Sequence, residues 1–139
     1  MKGSNIVLML LLLGFTELKS QEKNIFLSPD QPAKCEKLKQ GKFLRVGYPI
    51  ETWFMTIKDN VQTEYYNDGK DYIKSRLEFV DDCNYKVVIT EKSDESHPIK
   101  LGEVLINRVV ETDHNFIKIE SEYNNDTFEF VFDKVEENN

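Results

Sequence analysis

The stretch that most constrains the fold runs from Gln62 to Val88, which reads as strand, turn, strand, corner and strand. Asn67-Asp68-Gly69-Lys70 supplies the turn, because Asn, Asp and Gly tolerate the positive φ angles that tight hairpins require. After it, residues 72–80 alternate between two faces. One face carries Ile73, Ser75, Leu77 and Phe79, and the other carries Lys74, Arg76 and Glu78. This pattern predicts part of an antiparallel meander.

The remainder of the chain continues the same pattern of short alternating runs and turns. The predicted strands are 42–46, 51–58, 61–66, 72–80, 85–89, 101–111, 116–123 and 127–134. Regular spacing of strands and turns favours an all-β sandwich or barrel. Connections of two to four residues favour antiparallel pairing of consecutive strands. We therefore predict an all-β, eight-stranded antiparallel meander, either a small closed barrel, which has no free edges, or a strongly curved sheet.

The interior of this meander is predicted to be aromatic. Phe128, Phe130 and Phe132 share one face of the last strand, and the second strand contains Trp53 and Met55. An eight-stranded barrel has room for packed side chains or for one small ligand. Most of the aromatic residues are expected to serve strand packing. If a ligand pocket exists, we predict that Trp53, Met55 and Phe130 line it.

The N-terminus has the order of a secretory signal peptide. Lys2 precedes an apolar block, residues 6–15, and Ser20 precedes Gln21. The apolar block is shorter than the roughly 20 residues of a membrane-spanning helix, so we predict cleavage and no membrane span afterwards. The predicted organisation is a signal peptide (1–20), an irregular lead-in (21–40), a single β domain (41–135) and a frayed tail (136–139). The protein is thus predicted to be exported, and to be periplasmic or secreted.

Cys35 and Cys83 are the only cysteines, and in an exported chain two cysteines most simply form one disulfide. Cys35 precedes the first strand, and Cys83 lies at the corner between the fourth and fifth. Because three hairpins separate the first strand from the fourth, strands one and five begin at the same end of the meander. The two cysteines are therefore expected at one rim, and a redox pair or a metal site is less favoured because there is no Cys-x-x-Cys spacing.

Composition and motifs argue against several kinds of chemistry. Removal of residues 1–20 takes away two lysines and one glutamate and leaves 16 basic and 24 acidic residues, a formal charge of −8. Such a chain repels nucleic acids. His97 and His114 have no partners at metal-ligand or catalytic spacing, and His97, in the polar stretch 92–100, is expected to be solvated on a mobile surface loop. We predict a protein that is not an enzyme and has no catalytic residues, no metal site and no cofactor.

Two segments together resemble a family of known proteins. The first is Cys35-Glu36-Lys37-Leu38-Lys39-Gln40-Gly41-Lys42-Phe43, and the second is Gln62-Thr63-Glu64 followed by the strand to Phe79 and by Asp82-Cys83-Asn84-Tyr85-Lys86-Val87. They resemble small exported bacterial proteins of unknown function with two cysteines and an all-β pattern. Some members are labelled DNA topoisomerase IV, a label that no nucleotide site or nucleophilic tyrosine here supports. Gly41-Lys42-Phe43 is also loosely similar to the opening of lipocalins, which implies a small lipocalin-like barrel.

Three functions are compatible with these observations. The first is a non-catalytic exported binding module for a small apolar ligand or a protein partner, favoured by the alternating strands and the aromatic second strand. The second is a structural or interaction protein of the cell envelope that uses its outer surface. The third is a hydrolase whose site the sequence does not reveal. The specific ligand or envelope partner is not encoded in any recognisable motif.

Overall fold

The computed structural model describes residues 25–136. The predicted signal peptide, residues 1–20, the start of the lead-in and residues 137–139 of the predicted tail lie outside the described residues. One turn of 3₁₀ helix precedes eight strands. The 3₁₀ turn is Cys35–Leu38, and the strands are β1 Gly41–Arg45, β2 Trp53–Lys58, β3 Val61–Tyr66, β4 Asp71–Phe79, β5 Asn84–Lys92, β6 Val104–Asp113, β7 Phe116–Tyr123 and β8 Asp126–Glu136.

The eight strands form one closed antiparallel barrel in sequence order. Each strand pairs with the next, and β1 also pairs with β8, with Arg45 opposite Phe132. The predicted all-β meander of eight antiparallel strands is therefore confirmed, and it closes as a barrel and not as an open curved sheet. Closure leaves no unpaired edge in the sheet.

Asparagine and aspartate make the tight turns, as their tolerance of positive φ predicts. Asp59 and Asn60 have φ of 52° and 62° between β2 and β3, and Asn124 and Asn125 have φ of 53° and 68° between β7 and β8. Between β3 and β4, Asn67, Asp68 and Gly69 all have positive φ. These short connections hold consecutive strands in register.

The sixth strand starts later than predicted. The predicted strand was 101–111, but β6 begins at Val104 and Gly102 lies in the preceding loop. Its φ of +90° turns the chain there, while its backbone N–H donates to the carbonyl of Ile89 at 2.7 Å. The regular pairing of β6 with β5 therefore begins at Val104, opposite Val88.

The barrel has two different ends. The disulfide end, as we call it, contains the start of β1, the β4–β5 corner and the β6–β7 turn; the loop end contains the β1–β2 loop, 46–52, and the β5–β6 loop, 93–103. At the disulfide end, Cys35 and Cys83 form the predicted disulfide, with their Cα atoms 5.2 Å apart. The expectation that both cysteines share one rim is thus confirmed.

The lead-in is held against the disulfide end by hydrogen bonds to Thr112 and Asp113 at the end of β6. The backbone N–H of Ser28 donates to Asp113 Oδ2 at 2.7 Å, and that of Lys34 donates to Thr112 Oγ1 at 2.8 Å. Thr112 Oγ1 in turn donates to Asp30 Oδ2 at 2.7 Å. These hydrogen bonds lower the pKa of Asp30 and Asp113. This end is therefore closed by ordered protein.

Candidate functional site

The three side chains predicted to line a pocket all lie on the inner face of the barrel. Met55 is 1% exposed and Phe130 is 8% exposed, and both belong to the buried core. Trp53 is half-buried and packs against that core. The structure thus brings residues of β2 and β8 together inside the barrel. Whether they bind a ligand remains a prediction.

Three aromatic rings form a stack across the interior. The ring centroids of Trp53 and Phe132 are 5.5 Å apart with an interplanar angle of 9°, and those of Phe132 and Phe130 are 6.3 Å apart at 7°. Phe43 lies 6.2 Å from Phe132 at a tilt of 55°. We call Trp53, Phe132 and Phe130 the aromatic stack. It provides a flat apolar wall on the β8 side of the barrel.

An ionisable carboxyl group, Glu64, lies on the inner face next to this stack. Its Oε1 accepts a hydrogen bond from Trp53 Nε1 at 3.2 Å, and its Oε2 accepts one from Gln62 Nε2 at 3.2 Å. It stands opposite Met55 on β2 and Ile73 on β4, both inward-facing core residues. Burial raises the pKa of Glu64, although the two donors and the charge of Arg45 act in the other direction.

Arg45 is another ionisable group beside the aromatic stack and is only 6% exposed. Its guanidinium carbon lies 4.6 Å from the ring centroid of Tyr48 and 4.6 Å from that of Phe130. Burial lowers the pKa of Arg45, while the charge of Glu64 raises it. Two aromatic faces therefore orient the guanidinium within the barrel.

A separate polar group occupies the β5–β7 side of the interior. Asn107 Nδ2 donates to the hydroxyl of Tyr85 at 3.3 Å, and Ser121 Oγ donates to Asn107 Oδ1 at 2.7 Å. All three residues are buried. Burial raises the pKa of Tyr85 well above its usual range, so its hydroxyl stays neutral. These groups satisfy one another, as buried polar groups usually do.

The β5–β6 loop folds over the loop end of the barrel. Ile99 is 6% exposed and joins the core, and the ring of His97 contacts Tyr66 edge-on at 5.8 Å. Lys92 Nζ donates to the carbonyls of His97 at 2.8 Å and Ile99 at 2.9 Å. His97 was expected to be solvated, but its side chain is half-buried, because its ring packs against Tyr66 and its Nδ1 accepts from the N–H of Ile99. The loop is largely polar in composition, but Ile99 is buried and holds the loop against the barrel.

His97 makes the loop sensitive to pH. Its Nδ1 accepts a hydrogen bond from the backbone N–H of Ile99 at 3.1 Å, which a protonated ring cannot do. Burial and then the charge of Lys92 lower the pKa of His97, while Asp94 and Asp71 oppose the shift. A lowered histidine pKa means that the unfolded chain binds the proton more readily, so this stabilisation is complete above pH 6.5 and declines as pH falls below it.

We expect His97→Gln to remove part of the pH dependence of stability. Between about pH 7.5 and about pH 5, the free energy of unfolding of the unmodified protein should fall relative to that of the variant, measured by urea titration. The comparison uses the difference between the two proteins because Glu64, whose pKa is raised, contributes with the opposite sign. A difference that stays constant over this range would contradict the role of His97.

The outer surface carries a shallow groove of about 240 Å³. It is lined by Asn84, Ile106, Asn107, Arg108, Glu120, Glu122 and Thr127. Arg108 Nη2 lies 2.8 Å from Glu120 Oε1, and Glu122 adds a second negative charge to the lining. An ion pair at the surface contributes little binding energy.

Sequence reasoning missed Glu64 and Arg45. Each is one charged residue in a strand of mixed composition, and neither stands at a recognised spacing. One signal was present in the sequence. Met55 and Ile57 face inward on β2, and the short β2–β3 hairpin places Glu64 opposite Met55, so Glu64 faces inward as well. A charged residue at an inward position is the feature that would have identified it.

Fold and site define an eight-stranded up-and-down β-barrel that encloses an aromatic stack with the ionisable side chains of Arg45 and Glu64 beside it. Comparison with protein-family models, curated proteins and solved structures finds no match to the chain. No helix within residues 25–136 is long and apolar enough to cross a membrane. Across the same residues, no group of three His, Cys, Asp or Glu side chains is placed to hold a metal ion.

Proposed function

We propose that this protein is an exported, non-catalytic binding module that holds one small, largely apolar molecule inside the loop-end half of its barrel. The ligand lies between the aromatic stack and the wall formed by β3 and β4. Eight-stranded barrels have an interior of the size needed for one such molecule. The native disulfide supports export, because structural disulfides persist mainly in oxidising compartments.

The observation that carries this proposal is the difference in packing between the two ends of the interior. At the disulfide end, Leu38, Phe43 and Ile117 are completely buried. At the loop end, Trp53 and Glu64 face inward and yet retain accessible surface. The interior is thus fully covered at the disulfide end, whereas Trp53 and Glu64 keep part of their surface accessible at the loop end.

Electrostatics add a second argument. Burying a charged side chain costs free energy unless it gains strong partners, so a core selected for stability alone favours apolar residues. Arg45 and Glu64 nevertheless lie inside the barrel among aromatic rings. Perturbed ionisable groups of this kind concentrate at functional sites, where they orient a ligand.

The proposal can be tested with N-phenyl-1-naphthylamine, an uncharged apolar fluorescent probe. Trp53 is the only tryptophan of the chain, so its emission reports directly on the interior. We expect saturable binding at one site, with quenching of Trp53 emission as probe emission rises. A probe that leaves Trp53 unaffected, or that does not bind, would contradict an interior site and favour a role for the outer surface in the cell envelope.

Matched aromatic substitutions locate the probe. Phe130→Met removes an inner ring and should weaken probe binding by several-fold, up to about tenfold, as expected for loss of one aromatic contact. Phe54→Met removes an outer ring, which stacks on Tyr65 at 4.6 Å, and should leave binding unchanged. Equal effects of the two substitutions would place the probe outside the barrel.

A further inference from the structure

Two hydroxyl groups of the interior have no hydrogen-bond partner. Within residues 25–136, neither Ser75 Oγ nor the Tyr66 hydroxyl is bonded, although both oxygen atoms are buried. Ser75 is 1% exposed. Roughly 90% or more of buried polar groups in proteins have a partner, so two unpaired hydroxyls in one small barrel require an explanation.

Both hydroxyls flank Glu64 on one wall of the barrel. Tyr66 follows Glu64 by two residues on β3 and therefore shares its face. Ser75 on β4 stands opposite Gln62, the residue whose amide donates to Glu64. We call Glu64, Tyr66 and Ser75 the polar wall. In the closed strand order, β3 and β4 lie across the barrel from β7 and β8, so the polar wall faces the side that carries Phe130 and Phe132.

The interior beside the polar wall already holds one ionisable group of each sign, Arg45 and Glu64. Each favours the charged form of the other, although burial opposes the charged form of both. A charged ligand would add a buried charge without a counterion, which is unfavourable in a medium of low dielectric constant. What the polar wall lacks is hydrogen-bond partners for two neutral hydroxyls.

We propose that the ligand is an uncharged molecule with an apolar ring or chain and at least one hydroxyl or amide group, bound by the polar wall. This inference rests on the proposed binding function and defines its ligand class. The ligand's oxygen accepts a hydrogen bond from Ser75 or Tyr66, and its O–H or N–H donates to a Glu64 oxygen. The apolar part packs against the aromatic stack.

Four cyclohexyl compounds test the ligand class by competition with N-phenyl-1-naphthylamine. Cyclohexanol, cyclohexanecarboxylate, cyclohexylammonium and methylcyclohexane share one ring and differ in one group. We expect cyclohexanol to displace the probe at a concentration at least about fivefold lower than any of the other three, the effect of one hydrogen bond. Preference for the carboxylate or the ammonium, or equal displacement by methylcyclohexane, would overturn the ligand class while leaving interior binding intact. Failure of the probe itself would instead contradict the proposed function.

Ser75→Ala provides a test that separates ligand contact from structural support. Because the hydroxyl of Ser75 is unpaired, its removal should leave the thermal midpoint unchanged or raise it, and should reduce the advantage of cyclohexanol over methylcyclohexane. Ser121→Ala is the matched control, since that buried hydroxyl donates to Asn107. It should lower the midpoint and retain the advantage. A Ser75→Ala protein that is destabilised like Ser121→Ala, or whose preference for cyclohexanol is undiminished, would refute the assignment of Ser75.

Discussion

Replacing Cys83 with serine is expected to lower the free energy of unfolding by about 2–5 kcal/mol. The bridge to Cys35 spans a sequence separation of 48, and closing a loop of that size restricts the unfolded chain by about 4 kcal/mol in the chain-entropy model. It also ties the 3₁₀ turn, where Leu38 is completely buried, to the β4–β5 corner. Urea or thermal denaturation of the oxidised protein and the variant measures the difference.

The double variant Cys35→Ser/Cys83→Ser supplies the control for this prediction. Both variants lose the same single bridge, so the double substitution should cost about as much as the single one. Dithiothreitol should lower the stability of the unmodified protein and leave the double variant unaffected. Mass spectrometry without reductant should find one intramolecular disulfide. Two free thiols in the protein taken from its native compartment would contradict both the bridge and the proposed export.

Phe132→Ala is expected to lower the free energy of unfolding by about 3–5 kcal/mol, because it leaves a large cavity in the centre of the barrel. Phe132 is 7% exposed, and its ring contacts those of Trp53, Phe130 and Phe43. The same change should alter the emission of Trp53, whose stacking partner is lost. Denaturant titration and tryptophan fluorescence measure the two effects.

Phe54→Ala is the matched control, since it makes the same chemical change on the outer face of β2. Phe54 stacks on Tyr65 and lies 4.9 Å from Lys42 Nζ, and it keeps partial exposure to solvent. It should cost about 0.5–1.5 kcal/mol, the range for an aromatic pair. If Phe54→Ala lowered the free energy of unfolding as much as Phe132→Ala, the aromatic stack would contribute no more to stability than an aromatic pair on the outer face.

The strands and the disulfide were predictable because both depend on local information. Alternation with a period of two assigns each side chain to a face, and Asn67-Asp68-Gly69 marks a hairpin without knowledge of the rest of the fold. Counting reversals then places Cys35 and Cys83 at one end. The match to the family of exported two-cysteine proteins, and the signal peptide before residue 25, remain predictions.

The β5–β6 loop is the segment for which composition gave the wrong expectation. Residues 92–100 are polar almost throughout, and composition alone indicates a solvated loop. Ile99 reverses this, because one buried side chain anchors the segment, and Lys92 then satisfies the carbonyls that the fold turns inward. His97 is drawn against Tyr66 as a consequence. The burial of Ile99 and the contact of His97 with Tyr66 depend on the barrel residues beneath the loop, which lie elsewhere in the sequence.

The sequence by itself determined the all-β class, the eight strands, the turn positions, the pairing of the cysteines and an aromatic interior, because each follows from neighbours along the chain or from strand parity. Only the tertiary structure decided that β1 meets β8, since that pairing joins residues far apart in sequence. It also decided that Arg45 and Glu64 lie together inside the barrel. Alternation along β1 and β3 predicts that Arg45 and Glu64 both face inward. Their proximity depends on how the closed barrel arranges these strands.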